Sequence, residues 1–224
     1  MFTGCDVKVD IVFVLDISVS IGGGKQKAAD KNFKEVTTFV SNMVQFLNIG
    51  PDNSLVGVVL FARDAVINFN VLKYTDMDDL LNAINSLEFG NIKDEIHQTT
   101  NTPAALNLLR AQGHNDGALR LRYDGSSHIV VFVTYGEANT SEVTGNSRKK
   151  DAENTEIAAR DLHESNIYSQ IYSVGIRGKN NEINKTQLEV IASHPSLAYT
   201  INDFDKQIFE ELRVILINLI CKSK

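Results

Sequence analysis

Residues 9–20 read VDIVFVLDISVS, an almost continuous apolar, β-branched run that gives way to oxygen-bearing side chains. Its apolar part, residues 9–15, lacks the polar alternation of a strand with one face in water, which predicts a central strand covered on both faces. The run ends at Asp16, and glycines at residues 22–24 precede a helical pattern. We therefore expect this segment to lie at the centre of an α/β sheet.

On both sides of this strand the pattern alternates between strands and helices. Apolar residues spaced by three and four over residues 33–47 predict a helix, and residues 55–62 and 65–69 predict a hairpin across Arg63 and Asp64. Further strands are predicted at residues 128–134, 167–176 and 197–201. Further helices are predicted at residues 78–87, 104–111, 150–162, 185–192 and 204–219. This order predicts a doubly wound, mostly parallel sheet flanked by helices on both faces, with one antiparallel edge strand, in a single domain over residues 5–221.

Composition and charge exclude several classes of function. Hydrophobic residues make up 43% and charged residues 22% of the chain, as in ordinary globular proteins. The net charge of −6 argues against a nucleic-acid partner and leaves basic or cation-bridged partners open. No apolar run is long enough to insert into a membrane. Zinc-protease, nucleophile-elbow and phosphate-loop motifs are absent from the sequence, so we do not expect an enzyme.

Oxygen donors follow the first strand, at the edge of such a sheet where ligands bind. Asp16, Ser18 and Ser20 alternate along one turn, and Thr100 lies in the loop before a later helix. Oxygen donors of low total charge suit Mg²⁺, and Mn²⁺ or Ca²⁺ take the same kind of ligand. A second interpretation stands beside this one, in which the two serines cap the following helix and Asp16 accepts backbone N–H groups.

Two motifs resemble those of von Willebrand factor A domains. The run Asp16-x-Ser18-x-Ser20 followed by Ile21-Gly22 resembles the family's metal-ion-dependent adhesion site, or MIDAS. The run Thr100-Asn101-Thr102 followed by Ala105-Leu106 resembles the second motif of that site. The resemblance covers nearly the whole chain, about residues 5–221.

The resemblance implies a function and a ligand set. Asp16, Ser18, Ser20 and Thr100 would hold a divalent cation at the upper edge of the sheet. The chain would be an extracellular adhesion or matrix module that binds a protein ligand, either collagen or another matrix component. An acidic residue of that ligand would complete the metal shell, and no catalysis is implied.

One motif departs from the family pattern. The family follows its fourth buried strand with threonine, aspartate and glycine, whereas this chain reads Thr134-Tyr135-Gly136. Tyr135 replaces a carboxylate with a phenol, which is a poor magnesium ligand. Glu137 lies close enough in sequence to contribute instead. The departure leaves open a structural or self-association module with a degenerate metal site, or metal-independent binding through a side face.

Cysteines and glycosylation sequons indicate the compartment. The two cysteines, Cys5 and Cys221, lie near opposite ends of the chain. These ends can meet where the first strand neighbours the last helix, and a disulfide there indicates a secreted protein. The alternative is a pair of free thiols in the cytosol. Sequons at Asn139 and Asn184 fit the extracellular setting, and the family resemblance implies similar flanking cysteines.

The five histidines follow no zinc-binding spacing. We expect most of them on the surface. In the loop that precedes Thr100, we expect Asp94, Glu95 and His97 to be solvated side chains rather than metal ligands.

Overall fold

A six-stranded sheet forms the centre of the computed structural model, which describes residues 7–90, 93–136, 138–140, 145–177, 183–202 and 206–221, except for the side chains of residues 206 and 208. The strands are β1 (Val9–Asp16), β2 (Leu55–Phe61), β3 (Ala65–Phe69), β4 (Ser127–Thr134), β5 (Gln170–Arg177) and β6 (Ala198–Asn202). They are ordered β3-β2-β1-β4-β5-β6, and all pairs are parallel except β2 with β3. The predicted doubly wound sheet with one antiparallel edge strand is confirmed.

Helices cover both faces of the sheet. They are α1 (Gln26–Val44), α2 (Met77–Asn85), α3 (Thr102–Gln112), α4 (Arg148–Glu164), α5 (Lys185–Ile191) and α6 (Lys206–Ile220). Residues of α1, α2 and α6 pack on one face in what we call the α1 cluster. Residues of α3 and α4 pack on the other face in the α3 cluster. None of the helices within the described ranges is long and apolar enough to cross a membrane.

Every residue of β1 is buried, as its apolar run predicts. Alternate side chains enter opposite clusters, so that Phe13 and Leu15 join the α1 cluster while Val14 joins the α3 cluster. Because β1 pairs in parallel with both β2 and β4, the carboxyl ends of these strands meet at one edge of the sheet. We call this the carboxyl edge.

Some predicted boundaries were wrong. Helix α1 begins at Gln26 and so includes part of the polar stretch before the apolar stripe. Strand β5 begins at Gln170 rather than at Ile167, since Ile167 and Tyr168 are buried in a loop and continue the apolar pattern without pairing. In α6 the predicted stripe includes Ile215, which is 45% exposed.

Candidate metal centre

Asp16 ends β1 and is fully buried. Its Oδ1 accepts the Ser18 N–H at 2.8 Å. Its Oδ2 accepts the Thr134 hydroxyl at 2.8 Å and the Tyr135 N–H at 3.2 Å. Burial raises the pKa of Asp16 above its ordinary value, and these hydrogen bonds oppose that effect only in part. Within the described ranges the carboxylate has no ion-pair partner, so a cation at this position would relieve the cost of burying its charge.

The two motif serines lie beside this carboxylate. Ser18 is 1% exposed, and its hydroxyl lies close enough to Asp16 to lower the pKa of that carboxyl. Its Oγ nevertheless makes no hydrogen bond of normal geometry to any described residue. Such a buried hydroxyl costs free energy unless a ligand, an ion or water satisfies it. Ser20 lies in a single 3-10 turn, Val19–Gly22, and a Cβ placed on Gly136 would stand 3.7 Å from its Oγ. Ser20 therefore faces the segment that follows β4.

The structure contradicts one part of the capping interpretation and confirms the other. Ser18 precedes the 3-10 turn but makes no capping hydrogen bond through its side chain, and the residue that precedes α1 is Lys25 rather than either serine, so that part of the interpretation was wrong. Asp16 does accept two backbone N–H groups, so the other part is confirmed. Gly22 brings the turn close to α1, because a Cβ at Gly22 would lie 2.6 Å from the backbone nitrogen of Ala29.

Thr100 is buried at the same edge of the sheet. Its backbone exchanges two hydrogen bonds with Asn139, at 3.0 and 2.9 Å, in an isolated antiparallel bridge. The next residue, Asn101, donates its N–H to Ala62 just beyond β2 and caps α3 through its side chain. Thr100 is therefore held from two directions, through Asn101 by the end of β2 and through Asn139 by the loop after β4. The same loop contains Gly136, which lies beside Ser20.

Buried polar contacts fix the loop after β4. Asp151 is 1% exposed and accepts both the N–H and the hydroxyl of Thr140. The Gln187 side chain accepts the Ala138 N–H at 3.2 Å. Since the neighbouring Asn139 pairs with Thr100, these contacts help to position Thr100, a candidate metal ligand, from outside the sheet.

Tyr135 contributes its backbone to the site and its side chain to the core. The side chain is 1% exposed and belongs to the α1 cluster, as do Val131 and Val133 on the same face of β4. Burial, and secondarily the charge of Asp16, raise the pKa of Tyr135 well above its ordinary value, so the phenol is neutral. It therefore supplies no negative charge where the family has an aspartate.

The prediction that His97 is solvated was wrong. His97 is 4% exposed, stacks on Phe89 with ring centroids 4.8 Å apart, and places Nδ1 2.6 Å from the Ile17 carbonyl oxygen. His128 is also buried, between the carbonyls of Ile167 and Arg122. The largely polar sequence around His97 gives little indication of its burial, although apolar residues such as Phe89 and Ile96 lie nearby. Asp94 and Glu95 are exposed, as expected.

Other predicted site residues fall partly outside the described ranges. Glu137 and Cys5 lie there, so an added carboxylate and a bridge to Cys221 stay predictions. The Asn184 side chain caps α5 by accepting the Gln187 N–H at 3.2 Å. Asn139 is half-buried beside Thr100. Glycosylation at either asparagine stays a prediction.

The donor set fits a hard divalent cation. It consists of one desolvated carboxylate and neutral hydroxyls, which suit magnesium or manganese better than softer metals. Among the described residues, no group of three or more histidine, cysteine, aspartate or glutamate side chains is placed to hold a metal. The binding of a cation at this site would depend on hydroxyl and water ligands as much as on the negative charge of Asp16.

Known proteins share this fold and about a quarter of the aligned residues. The family model for the von Willebrand factor type A domain matches residues 10–212. The human collagen alpha-6(VI) chain is 28% identical over 219 residues, which cover 98% of this chain and 8% of the collagen chain. Proximal thread matrix protein 1 from the mussel byssus has a TM-score of 0.76 at 23% identity, over 97% of this chain and 48% of that one. A structure of the same byssal protein with a zinc-occupied MIDAS motif has a TM-score of 0.72 at 23% identity, over 97% and 49% of the two chains. The chain described here belongs to the von Willebrand factor type A domain family.

Proposed function

We propose that this chain is an extracellular adhesion or matrix module that binds a protein ligand through a divalent cation at the carboxyl edge of its sheet. The observation that carries the proposal is the Ser18 hydroxyl, which is buried beside the desolvated Asp16 carboxylate and makes no hydrogen bond of normal geometry to any described residue. A collagen chain and a byssal matrix protein among its relatives support a matrix role, and the MIDAS of the latter holds zinc in one structure.

Each residue would have a separate task in this site. Asp16 would supply the negative charge, and the hydroxyls of Ser18, Ser20 and Thr100 would complete the protein's share of the shell, directly or through water. Mg²⁺ keeps several waters in such sites, so one position stays exchangeable for an acidic side chain of the ligand. A single carboxylate gives weak affinity for the free cation.

Cation titration tests the site itself. We expect protein stripped with EDTA to bind Mg²⁺ or Mn²⁺ saturably by calorimetry, with Kd of about 0.1–1 mM, the range of weak extracellular cation modules. Asp16→Ala should lose this binding because it removes the only charged donor in the set. Asp52→Ala is the matched control, since this exposed carboxylate lies before β2, at the opposite edge of the sheet. Equal binding by both variants would refute the site.

A collagen-binding assay tests the partner class. We expect the domain to bind immobilised collagen in Mg²⁺, and to lose that binding in EDTA and in Asp16→Ala, because the cation would bridge protein and ligand. Asp52→Ala should bind as the wild type does. Binding that persists in EDTA would exclude the cation-bridged mode and favour contact through a side face.

The placement of Tyr135 favours a second candidate function. Its side chain fills the core where the family has a metal-site carboxylate, as expected of a structural or self-association module with a degenerate site. This candidate predicts no saturable cation binding, and a concentration-dependent change of mass in sedimentation that EDTA leaves unaltered. The calorimetric titration therefore separates it from the first proposal.

A further inference from the structure

His97 makes a hydrogen bond to the backbone of the candidate metal motif. Its Nδ1 lies 2.6 Å from the carbonyl oxygen of Ile17, the residue between Asp16 and Ser18. A carbonyl oxygen only accepts, so Nδ1 carries the proton and donates it. The contact spans 80 positions of sequence, and both residues are buried.

The bond acts on the same peptide group that binds Asp16. The carbonyl of Ile17 and the N–H of Ser18 belong to one peptide unit, which is planar and trans. His97 binds its oxygen end, and the carboxylate of Asp16 accepts from its N–H end at 2.8 Å. Hydrogen bonds at both ends of one peptide polarise each other and fix its orientation. The orientation of this peptide group sets the direction in which the Ser18 side chain leaves the backbone.

The imidazole is itself held in place. Its ring stacks on Phe89 at an interplanar angle of 24°, and Phe89 packs edge-on against Phe33 of α1 at 6.1 Å. Gly90 adopts a φ of +89°, and a Cβ there would lie 3.1 Å from His97 Nε2. The absence of a side chain at Gly90 thus permits both the positive φ and the close approach of the His97 ring. The backbone of Ile17 is held by β2 as well as by His97. Its N–H donates to the carbonyl oxygen of Phe61 at 2.8 Å.

We infer that His97 is a positioning residue that couples the connection between α2 and α3 to the cation site, by orienting the Ile17–Ser18 peptide. This inference rests on the proposed function. Without the Nδ1 donor, the peptide is free to tilt, and the carboxylate and hydroxyl that it aligns no longer converge on one cation.

Two substitutions separate the hydrogen bond from the packing. His97→Phe keeps an aromatic ring against Phe89 and removes the donor. His97→Asn loses the ring but places an amide N–H where Nδ1 stands. We expect His97→Phe to weaken Mn²⁺ binding about tenfold, the lower end of the loss seen when an outer-shell partner is removed. His97→Asn should bind Mn²⁺ close to the wild-type affinity, even where its melting temperature is lower.

Amide hydrogen exchange gives a readout that needs no metal. In EDTA, the Ser18 N–H of His97→Phe should exchange about tenfold faster than in the wild type, whereas His97→Asn should retain its protection. Wild-type protein that fails to bind Mn²⁺ overturns the proposed function, while the exchange rates still test the coupling. Two results would overturn the inference. One is a loss of Mn²⁺ affinity that follows the fall in melting temperature in both variants, and the other is an unchanged exchange rate of the Ser18 N–H in His97→Phe.

Discussion

Tyr135→Asp is expected to lower the free energy of unfolding in EDTA by about 3–5 kcal/mol, the cost of removing a large aromatic side chain from a packed core. Tyr135 is 1% exposed within the α1 cluster, so a smaller side chain leaves a cavity there. The new carboxylate also lies next to Asp16, whose pKa burial already raises. Two neighbouring carboxylates without a cation repel each other, which adds to the loss.

A divalent cation should return part of this stability. Tyr135→Asp restores the carboxylate that the resemblance places in the site, so the cation gains a second anionic donor. A cation that binds only the folded state stabilises it by about 2.7 kcal/mol at a hundred times its Kd. Urea unfolding in Mg²⁺ and in EDTA measures the difference, which we expect to be larger for Tyr135→Asp than for the wild type.

Tyr135→Asn is the matched control for this substitution. It leaves the same cavity without adding a charge, so it should lose stability and gain nothing from Mg²⁺ beyond the wild-type response. A Tyr135→Asp protein whose stability responds to Mg²⁺ no more than that of Tyr135→Asn would mean that the position does not face the cation.

The sequence predicts the sheet and the position of the motif because both depend on local patterns. A nearly continuous apolar run such as residues 9–15, interrupted only by Asp10, is typical of a strand covered on both faces, and β1 is buried throughout. Asp16 comes directly after that run, and the end of a parallel strand lies at the ligand-binding edge. The helix periodicities likewise assign α1 and the other helices, with errors at their ends, as where α1 begins at Gln26 in the polar stretch before its apolar stripe. The start of β5 was misplaced because the buried loop residue Ile167 continues the apolar pattern of that strand.

The supporting contacts of the site could not be predicted in the same way. His97 sits in a polar stretch, and its burial depends on Ile17 and Phe89, which only the folded chain brings to it. Tyr135 carries a polar group, yet the alternation of β4 turns its side chain into the core. The contact between His97 and Ile17 joins residues 80 positions apart and has no local period, so the sequence does not predict it. The burial of Tyr135 does continue the alternation of β4, but its polar group conceals that pattern.

Arg122→Ala tests a buried ion pair between residues far apart in the sequence. Asp10 of β1 is fully buried, and its Oδ1 accepts the Nε–H of Arg122 at 2.8 Å and lies 2.7 Å from Nη2 in an ion pair. Its Oδ2 accepts the backbone N–H of Arg122 at 2.6 Å. The same guanidinium donates to the carbonyls of Pro51 and Asn53 before β2. Removing it leaves a buried carboxylate without its counter-ion, so we expect a loss of about 3–5 kcal/mol in the free energy of unfolding.

A surface ion pair provides the matched control. Lys8 and Asp124 approach to 2.8 Å, but their side chains are 40% and 48% exposed. Lys8→Ala should therefore cost about 1 kcal/mol or less, and salt should reduce that cost further. Urea unfolding at low and high ionic strength compares the two pairs. We expect the loss in Arg122→Ala to change little with salt, because water and ions are excluded from the Asp10 carboxylate.

A double substitution separates the ion pair from its role in anchoring the loop. Asp10→Val with Arg122→Met removes both charges and keeps apolar volume, which relieves the uncompensated charge left by Arg122→Ala. The carbonyls of Pro51 and Asn53 still lack their donor, and the Arg122 N–H loses its acceptor, so stability should lie between that of Arg122→Ala and the wild type. A double variant no more stable than Arg122→Ala would place the effect in these backbone contacts rather than in the ion pair. An Arg122→Ala loss as small as that of Lys8→Ala would mean that the pair adds nothing despite its burial.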